Sequence, residues 1–321
     1  MTFEDLPTVP RSEELIDKAF SRAARSGRAK SGVDAQQSML LTASNIISDN
    51  LQNVTTSWPD FEELDPFYAE LADSVVDGGI DDLRQHLSEV MWAGRKASDI
   101  RDEYQSRLRG DSQTARKIRK QAFARLADVS REVSDDLLAL GDARDILKQL
   151  PDIRPDEPTI VIAGYPNVGK STFVNNVTNA RNEVDTYPFT TKQIRVGHIE
   201  RDHIRYQLID TPGLLDRPAE ERNDIESQAV SALTHLGDCI LVFVDASAAC
   251  GYPVEVQLAL RDEIEGRFSD IPVVTVCSKA DRSQDIDAEY YLSVEENEGV
   301  GELLDGAVEA VDYEIELPFE E

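Results

Sequence analysis

The chain has 321 residues and is 40% hydrophobic, long enough for two ordinary domains with cores of their own. Its 62 acidic residues against 33 basic ones set a formal net charge of −29, and no stretch approaches the roughly 18–20 apolar residues that span a bilayer. The opening Met-Thr-Phe-Glu-Asp lacks the basic start and apolar run of a secretory signal, so a cytoplasmic protein with no membrane partner is expected.

Cys239, Cys250 and Cys277 lie far apart and are odd in number, which argues against a disulfide framework or a zinc site. The acidic surplus reads either as a strongly solvated surface or as adaptation to high intracellular salt. Lysine supplies about nine of the 33 basic residues and the acids run through both halves, which favours the second, halophilic reading. At molar salt the Debye length falls to about 3 Å, so a negative net charge does not exclude an RNA partner.

In chain order, apolar residues first recur at three- and four-residue spacing. They predict helices over Ser12 to Ser26, Asp34 to Asn53, Asp65 to Val76, Asp81 to Leu108 and Ser112 to Leu150. Such a series makes a helical bundle of residues 1–150. Three prolines in residues 151–158 then stop the helix and form a linker. Residues 159–321 alternate short β-rich runs with helices. Strands are predicted at Thr159 to Ala163, Ile194 to Glu200, His203 to Ile209, Cys239 to Val244, Ile271 to Cys277 and Tyr290 to Ser293. Helices are predicted near Lys170 to Thr178, Ala219 to Leu236, Pro253 to Arg267 and Gly301 to Val311. This alternation means a mainly parallel sheet, which binds ligands at the carboxyl ends of its strands.

Gly164-Tyr165-Pro166-Asn167-Val168-Gly169-Lys170-Ser171 follows the first of those strands and opens a helix, the setting a phosphate-binding loop requires. Its glycines let the backbone of Asn167, Val168 and Gly169 wrap phosphates, and the helix start through Thr172 adds partial positive charge. Lys170 is expected to bridge the β- and γ-phosphates, and Ser171 to offer its hydroxyl to Mg²⁺. Asp210-Thr211-Pro212-Gly213 closes a strand about forty residues on. Asp210 suits a water-mediated Mg²⁺ ligand, and Gly213 leaves its N–H free for the γ-phosphate. Thr190-Thr191 lies between those two segments, either in a plain turn or in a switch loop whose threonine, Thr191 being favoured, reaches Mg²⁺ only beside a γ-phosphate.

Ser278-Lys279-Ala280-Asp281 follows the predicted strand Ile271 to Cys277. The Asp281 carboxylate can accept from guanine N1 and N2, a donor pair adenine lacks. The Lys279 stem is expected over the base. Ser293 and Val294 begin a loop expected to meet guanine O6 through a backbone N–H.

Together these segments resemble the G motifs of the Obg–HflX superfamily of GTPases, and within it the nucleolar GTP-binding (Nog) branch in a short archaeal form. Phe189-Thr190-Thr191-Lys192, Val196-Gly197-His198, the run from Asp210 to Asp216, Glu221 to Glu226 and Asp245-Ala246-Ser247 carry the likeness, with Leu6 to Pro10 near the start. The resemblance implies an α/β P-loop GTPase domain preceded by an all-α helical bundle. It implies hydrolysis of GTP to GDP as a switch in large ribosomal subunit assembly, with Mg²⁺ and with ribosomal RNA meeting the amino-terminal domain; no DNA partner is expected. Asn167 resembles the asparagine some relatives use to hold K⁺ near the phosphates. Two clusters, Arg11 to Lys30 and Arg107 to Arg125, either face RNA phosphates or are solvated helix faces. Two departures temper the mechanism: Leu214 stands where some GTPases have a water-orienting glutamine, and Ser278 stands where the family pattern has asparagine. Slow intrinsic hydrolysis is therefore expected. An assembly scaffold with a structural nucleotide, and a guanine-nucleotide-sensing regulator unrelated to ribosomes, remain as alternatives.

Overall fold

The computed structural model describes residues 3–150, 153–178, 183–186, 193–211, 215–219, 222 and 224–312. Six helices come first: α1 (Ser12–Arg28), α2 (Gly32–Thr56), α3 (Pro66–Val75), α4 (Gly79–Arg107), α5 (Ser112–Glu132) and α6 (Ser134–Leu147). The chain divides into two compact units, Met1–Leu64 with Val76–Lys148, and Asp65–Val75 with Gln149–Glu321. Here the structure departs from a division at residue 150. The α3 segment belongs with the second unit, because it packs on a helix near residue 230.

The first unit is a helical bundle built on amphipathic stripes. In α1, Leu15, Ile16, Ala19 and Ala23 are buried at helical spacing, with acids in the first turn and Arg25 and Arg28 in the last. The α2 stripe of Leu40, Ala43, Ile47, Leu51 and Val54 is likewise buried, and Phe20 stacks on Phe123 with ring centroids 4.4 Å apart. Asp111 starts α5 by accepting the N–H groups of Gln113 and Thr114. The single helix expected from Ser112 to Leu150 breaks at Val133, where φ −101° and ψ 24° leave the helical well. No glycine or proline marks that break; the buried Val133 caps one helix and starts the next.

The second unit holds a seven-stranded sheet. Its strands are β1 (Thr159–Ala163), β2 (Glu183–Thr186), β3 (Gln193–Arg201), β4 (Ile204–Asp210), β5 (Cys239–Asp245), β6 (Val273–Ser278) and β7 (Tyr290–Tyr291), in the order β2-β3-β4-β1-β5-β6-β7. Strands β4, β1, β5, β6 and β7 run parallel, and β2 and β3 add antiparallel pairs at one edge. The β2 strand is an addition to the predicted set. Strands β1 and β5 are buried along their whole length, as parallel strands covered on both faces require. Helix α7 (Lys170–Val177) packs on β3 and β4, α9 (Val254–Arg267) on β5 and β6, and α10 (Val300–Val311) on β1, β5 and β7. Helix α8 (Asp224–Leu233), shorter than predicted, receives α3.

The segment entering β1 is fixed by two buried groups. Tyr68 of α3 bonds both the N–H and the carbonyl of Ile153. Gln207 of β4, fully buried, accepts the Arg154 N–H and donates to the Arg154 carbonyl and the Thr159 hydroxyl. Burial pushes the Cys239 thiol up to about 12 and the Cys277 thiol up to about 11, so both behave as small hydrophobes. Among the described residues no helix is long and apolar enough to cross a membrane.

Candidate nucleotide-binding site

Parallel register brings four strand ends to one edge. Ile162 of β1 pairs with Asp210 of β4, Ala163 with Val242 of β5, and Asp245 of β5 with Ser278 of β6. The loop from Gly164 to Gly169 leaves this edge and turns into α7. Gly164 has φ +125°, and a Cβ there would lie 2.4 Å from the Phe243 carbonyl oxygen, so only glycine fits between β1 and β5. Gly169, at φ +109°, caps α7 and leaves the helix amino terminus open to an anion. Asn167 is also left-handed, at φ +64°. The Lys170 ammonium is buried and donates to the carbonyls of Gly164 and Tyr165, which folds it back over the loop.

Ser171 donates its hydroxyl to Asp210 Oδ2 at 2.5 Å. Asp210 is fully buried, and its Oδ1 has no hydrogen-bond partner among the described residues. Burial raises its pKa, and the Ser171 bond and the charges of Lys170 and Arg195 only partly offset this. An orphaned carboxylate oxygen beside a hydroxyl, both at the phosphate loop, is a hard oxygen donor set that fits Mg²⁺. Thr190, Thr191, Gly213 and Leu214 lie outside the described residues.

A cleft of about 390 Å³ of empty volume opens beside the loop, lined by Val168, Gly169, Thr172, Phe243, Ser278, Lys279, Asp281, Leu292, Ser293, Val294 and Glu295. The sequence-predicted phosphate and base segments therefore share one cavity. Within it the Asp281 carboxylate has no hydrogen bond among the described residues, only Arg282 at 3.8 Å. Lys279 Nζ donates to the Asn167 carbonyl at 2.8 Å and to Asp245 Oδ2 at 2.6 Å. The Ser293 N–H donates to the Glu298 carbonyl at 3.0 Å in a small bridge and is not available to a base. The next N–H, that of Val294, has no partner among the described residues.

Asp245 is a site residue that motif reading missed. Fully buried, it accepts from Lys279, from the N–H and hydroxyl of Ser247, and from the Cys250 N–H. Burial pushes its pKa up, but the Lys279 and Ser247 bonds outweigh this and hold it below the ordinary value. Its signal was an acid ending an apolar strand with serine two residues on, the pattern of a side chain closing its own turn.

The description "NOG1 N-terminal helical domain" matches residues 3–154, and "50S ribosome-binding GTPase" matches residues 159–279. An uncharacterized protein of Methanocaldococcus jannaschii is 37% identical over 290 residues, covering 87% of this chain and 81% of that protein. Nucleolar GTP-binding protein 1 of Drosophila melanogaster is 35% identical over 87% of this chain, and that of Saccharomyces cerevisiae 31% over 94%. The chain belongs to the nucleolar GTP-binding protein 1 family. It spans 44% of the fly protein and 48% of the yeast protein, so it is under half the length of these eukaryotic relatives. A solved nucleolar GTP-binding protein 1 structure from Plasmodium falciparum is 33% identical, with a TM-score of 0.46, over 50% of this chain and 90% of that one. As a member of the family the chain pairs a helical amino-terminal domain with a P-loop GTPase domain.

The helical unit carries a second feature. The Gln36 side-chain oxygen accepts from Arg119, and the Gln37 side chain donates to the Leu108 carbonyl. These bonds gather the α1–α2 turn, the α4–α5 turn and the start of α5 at one end of the bundle. Arg22, Arg25, Arg28, Lys30, Arg109, Arg116, Lys117 and Lys120 lie on these segments or on the α1 turns leading into them, and none is ion-paired among the described residues. The later part of the first sequence cluster and much of the second thus lie toward one basic end, or pole, of this unit.

Proposed function

We propose that this protein is a Mg²⁺-dependent GTPase that acts as a switch in large ribosomal subunit assembly. The observation that carries the nucleotide assignment is the Asp281 carboxylate, with no hydrogen bond among the described residues, in one cleft with the phosphate loop. Asp281 accepts from guanine N1 and N2, the Val294 N–H donates to O6, and the Lys279 stem covers the base. Asn167, Val168, Gly169, Ser171 and Thr172 present the loop and the first turn of α7 to the phosphates. Lys170 bridges the β- and γ-phosphates. Ser171 and Asp210 hold Mg²⁺, with Thr191 as a further ligand in the GTP state. When bound, Mg²⁺ neutralises charge on the phosphate oxygens. The Gly213 N–H meets the γ-phosphate. Leu214 cannot orient water, so intrinsic hydrolysis is slow and a ribosomal partner accelerates it. Asn167 of the phosphate loop would hold K⁺, which adds positive charge near the phosphates.

The basic pole supports contact with ribosomal RNA, because unpaired arginines and lysines on one surface attract phosphates. A cytoplasmic, salt-adapted protein is consistent with the composition. Turnover of GTP, ATP and XTP, with and without large-subunit particles, in KCl and in NaCl, tests the reading. GTP-selective turnover that rises severalfold with particles is expected; turnover indifferent to base or to particles would contradict it. A second reading, a scaffold with a structural nucleotide, is favoured by the inward-facing Ser278 hydroxyl and predicts binding without stimulated turnover.

A further inference from the structure

Gly213, whose N–H is read as a γ-phosphate donor, lies in the chain between two anchored residues. Before it, Thr211 is fully buried and its hydroxyl donates to the Ile162 carbonyl of β1 at 3.2 Å. After it, the buried Leu215 accepts the N–H of Gly164, the first residue of the phosphate loop, at 2.9 Å. Between β4 and α8 the described residues form no α-helix or strand, so side chains from elsewhere must fix this segment. Glu263 of α9 does so. Its two carboxylate oxygens accept the Ala219 N–H, at 3.1 and 3.3 Å, and Oε1 lies 3.4 Å from Arg222 Nη1. The Arg222 side chain is 1% exposed and also donates to the Arg217 carbonyl at 2.7 Å, which closes the segment on itself. Burial pushes the Arg222 pKa down, and Glu263 opposes this more than Asp216 does. One helical turn on, Arg267 donates to the Ser227 carbonyl of α8 at 3.4 Å. Glu263 and Arg267 thus share one face of α9 and grip the chain at Ala219, Arg222 and Ser227. Glu263 itself does not line the nucleotide cleft.

We propose that Glu263 is a positioning residue for the γ-phosphate: by fixing Ala219 and Arg222 it holds the segment that carries Gly213. This rests on the GTPase reading and adds to it a residue outside the cleft on which the distinction between GTP and GDP depends. The phosphates of GDP end at the loop and the first turn of α7. GTP also needs Gly213 in place, so loss of the hold falls on GTP and spares GDP. A tie that only stabilised the fold would weaken both nucleotides together or neither.

The test compares the full-length wild type, Glu263→Ala and Glu263→Gln in Mg²⁺. Calorimetry reads the dissociation constants of GDP and of non-hydrolysable GTP and ATP analogues, and single-turnover assays read GTP hydrolysis. Glu263→Ala should weaken the GTP analogue about tenfold, as loss of a hydrogen bond to a charged group does, and change GDP by less than about twofold. Single-turnover hydrolysis should slow by at least about tenfold, because a displaced γ-phosphate donor costs rate as well as affinity. Glu263→Gln keeps an oxygen for the Ala219 N–H but loses the charge facing Arg222, so the same selective loss is expected at about threefold. It carries the test by itself if the buried Arg222 guanidinium, left without a partner, keeps the alanine variant from folding. Equal losses for GDP and the GTP analogue, or no loss for the analogue, would overturn the inference and leave guanine binding intact. A wild type that binds the GTP analogue no tighter than the ATP analogue would instead sink the nucleotide assignment, and the inference with it.

Discussion

Lys279 Nζ stands between the Asp245 carboxylate, 2.6 Å away, and the Asn167 carbonyl, 2.8 Å away. One ammonium thereby ties the base-recognition segment to the phosphate loop and to the end of β5. Lys279 itself sits at φ +51°, a conformation that an L-residue holds only when its surroundings fix it. Asp245→Asn should remove the charge-assisted bond, worth about 2 kcal/mol, and weaken GTP binding roughly 10- to 100-fold. Titration calorimetry checks this, and an unchanged dissociation constant would remove Asp245 from the site.

The same pair sets a pH dependence. Asp245 has a native pKa below its ordinary value of 3.8. Its stabilisation is therefore fully present above the unfolded value and is lost as pH falls through the lower native one. Thermal melts of the wild type and Asp245→Asn should be well separated at pH 6 and converge below about pH 4. A separation that grows on acidification would contradict the assignment.

Asp210 behaves in the opposite sense, because burial destabilises its charged form and one oxygen has no partner among the described residues. Asp210→Asn should raise the melting temperature of the metal- and nucleotide-free protein by about 2–4 °C, the shift that 1 kcal/mol produces in a unit of this size. It should also abolish the extra stabilisation that Mg²⁺ gives in the presence of GTP. Calorimetry with and without EDTA separates the two effects, and a persistent Mg²⁺ gain in the variant would exclude Asp210 as a ligand.

Asp281→Asn replaces an acceptor pair with one acceptor and one donor. Preference should move from GTP toward XTP, since xanthine carries a carbonyl where guanine carries the 2-amino group. Competition between the two nucleotides reads this directly, with unchanged GTP preference as the outcome that removes the assignment.

The basic pole has its own test. Changing Arg25, Arg28, Lys117 and Lys120 together to alanine should flatten the salt dependence of binding to large-subunit RNA. The slope of log K against log salt should fall by about 0.7–0.9 for each phosphate that is no longer neutralised. An unchanged slope would show that RNA, if bound, meets another surface.

Much of this molecule was legible in its sequence for physical reasons. The β1 strand and the loop after it were readable because a buried parallel strand is uniformly apolar and the phosphate loop fixes its glycines by steric need. Gly164 against Phe243 shows that need in the structure. Val133 was not readable, since a helix break without glycine or proline leaves no local mark. The β2 strand, whose residues pair only at an edge, carries no alternation strong enough to announce it. Which N–H of the loop from Ser293 stays open was not readable, because the Ser293 N–H is taken by Glu298 in a turn that only the folded backbone reveals. Asp245 was hidden by distance, as its meaning depends on Lys279, thirty-four residues away.

The placement of α3 has a last consequence. Because Asp65–Val75 folds with the GTPase unit while the residues on either side fold with the bundle, the chain passes between the two units three times. No single scission can release either unit whole. A fragment starting at the β1 entry would bare the face of α8 that α3 covers and leave Ile153 without Tyr68. The two units alternate along the chain, and recombination that swapped one for a foreign counterpart at one crossover would inherit an incomplete core.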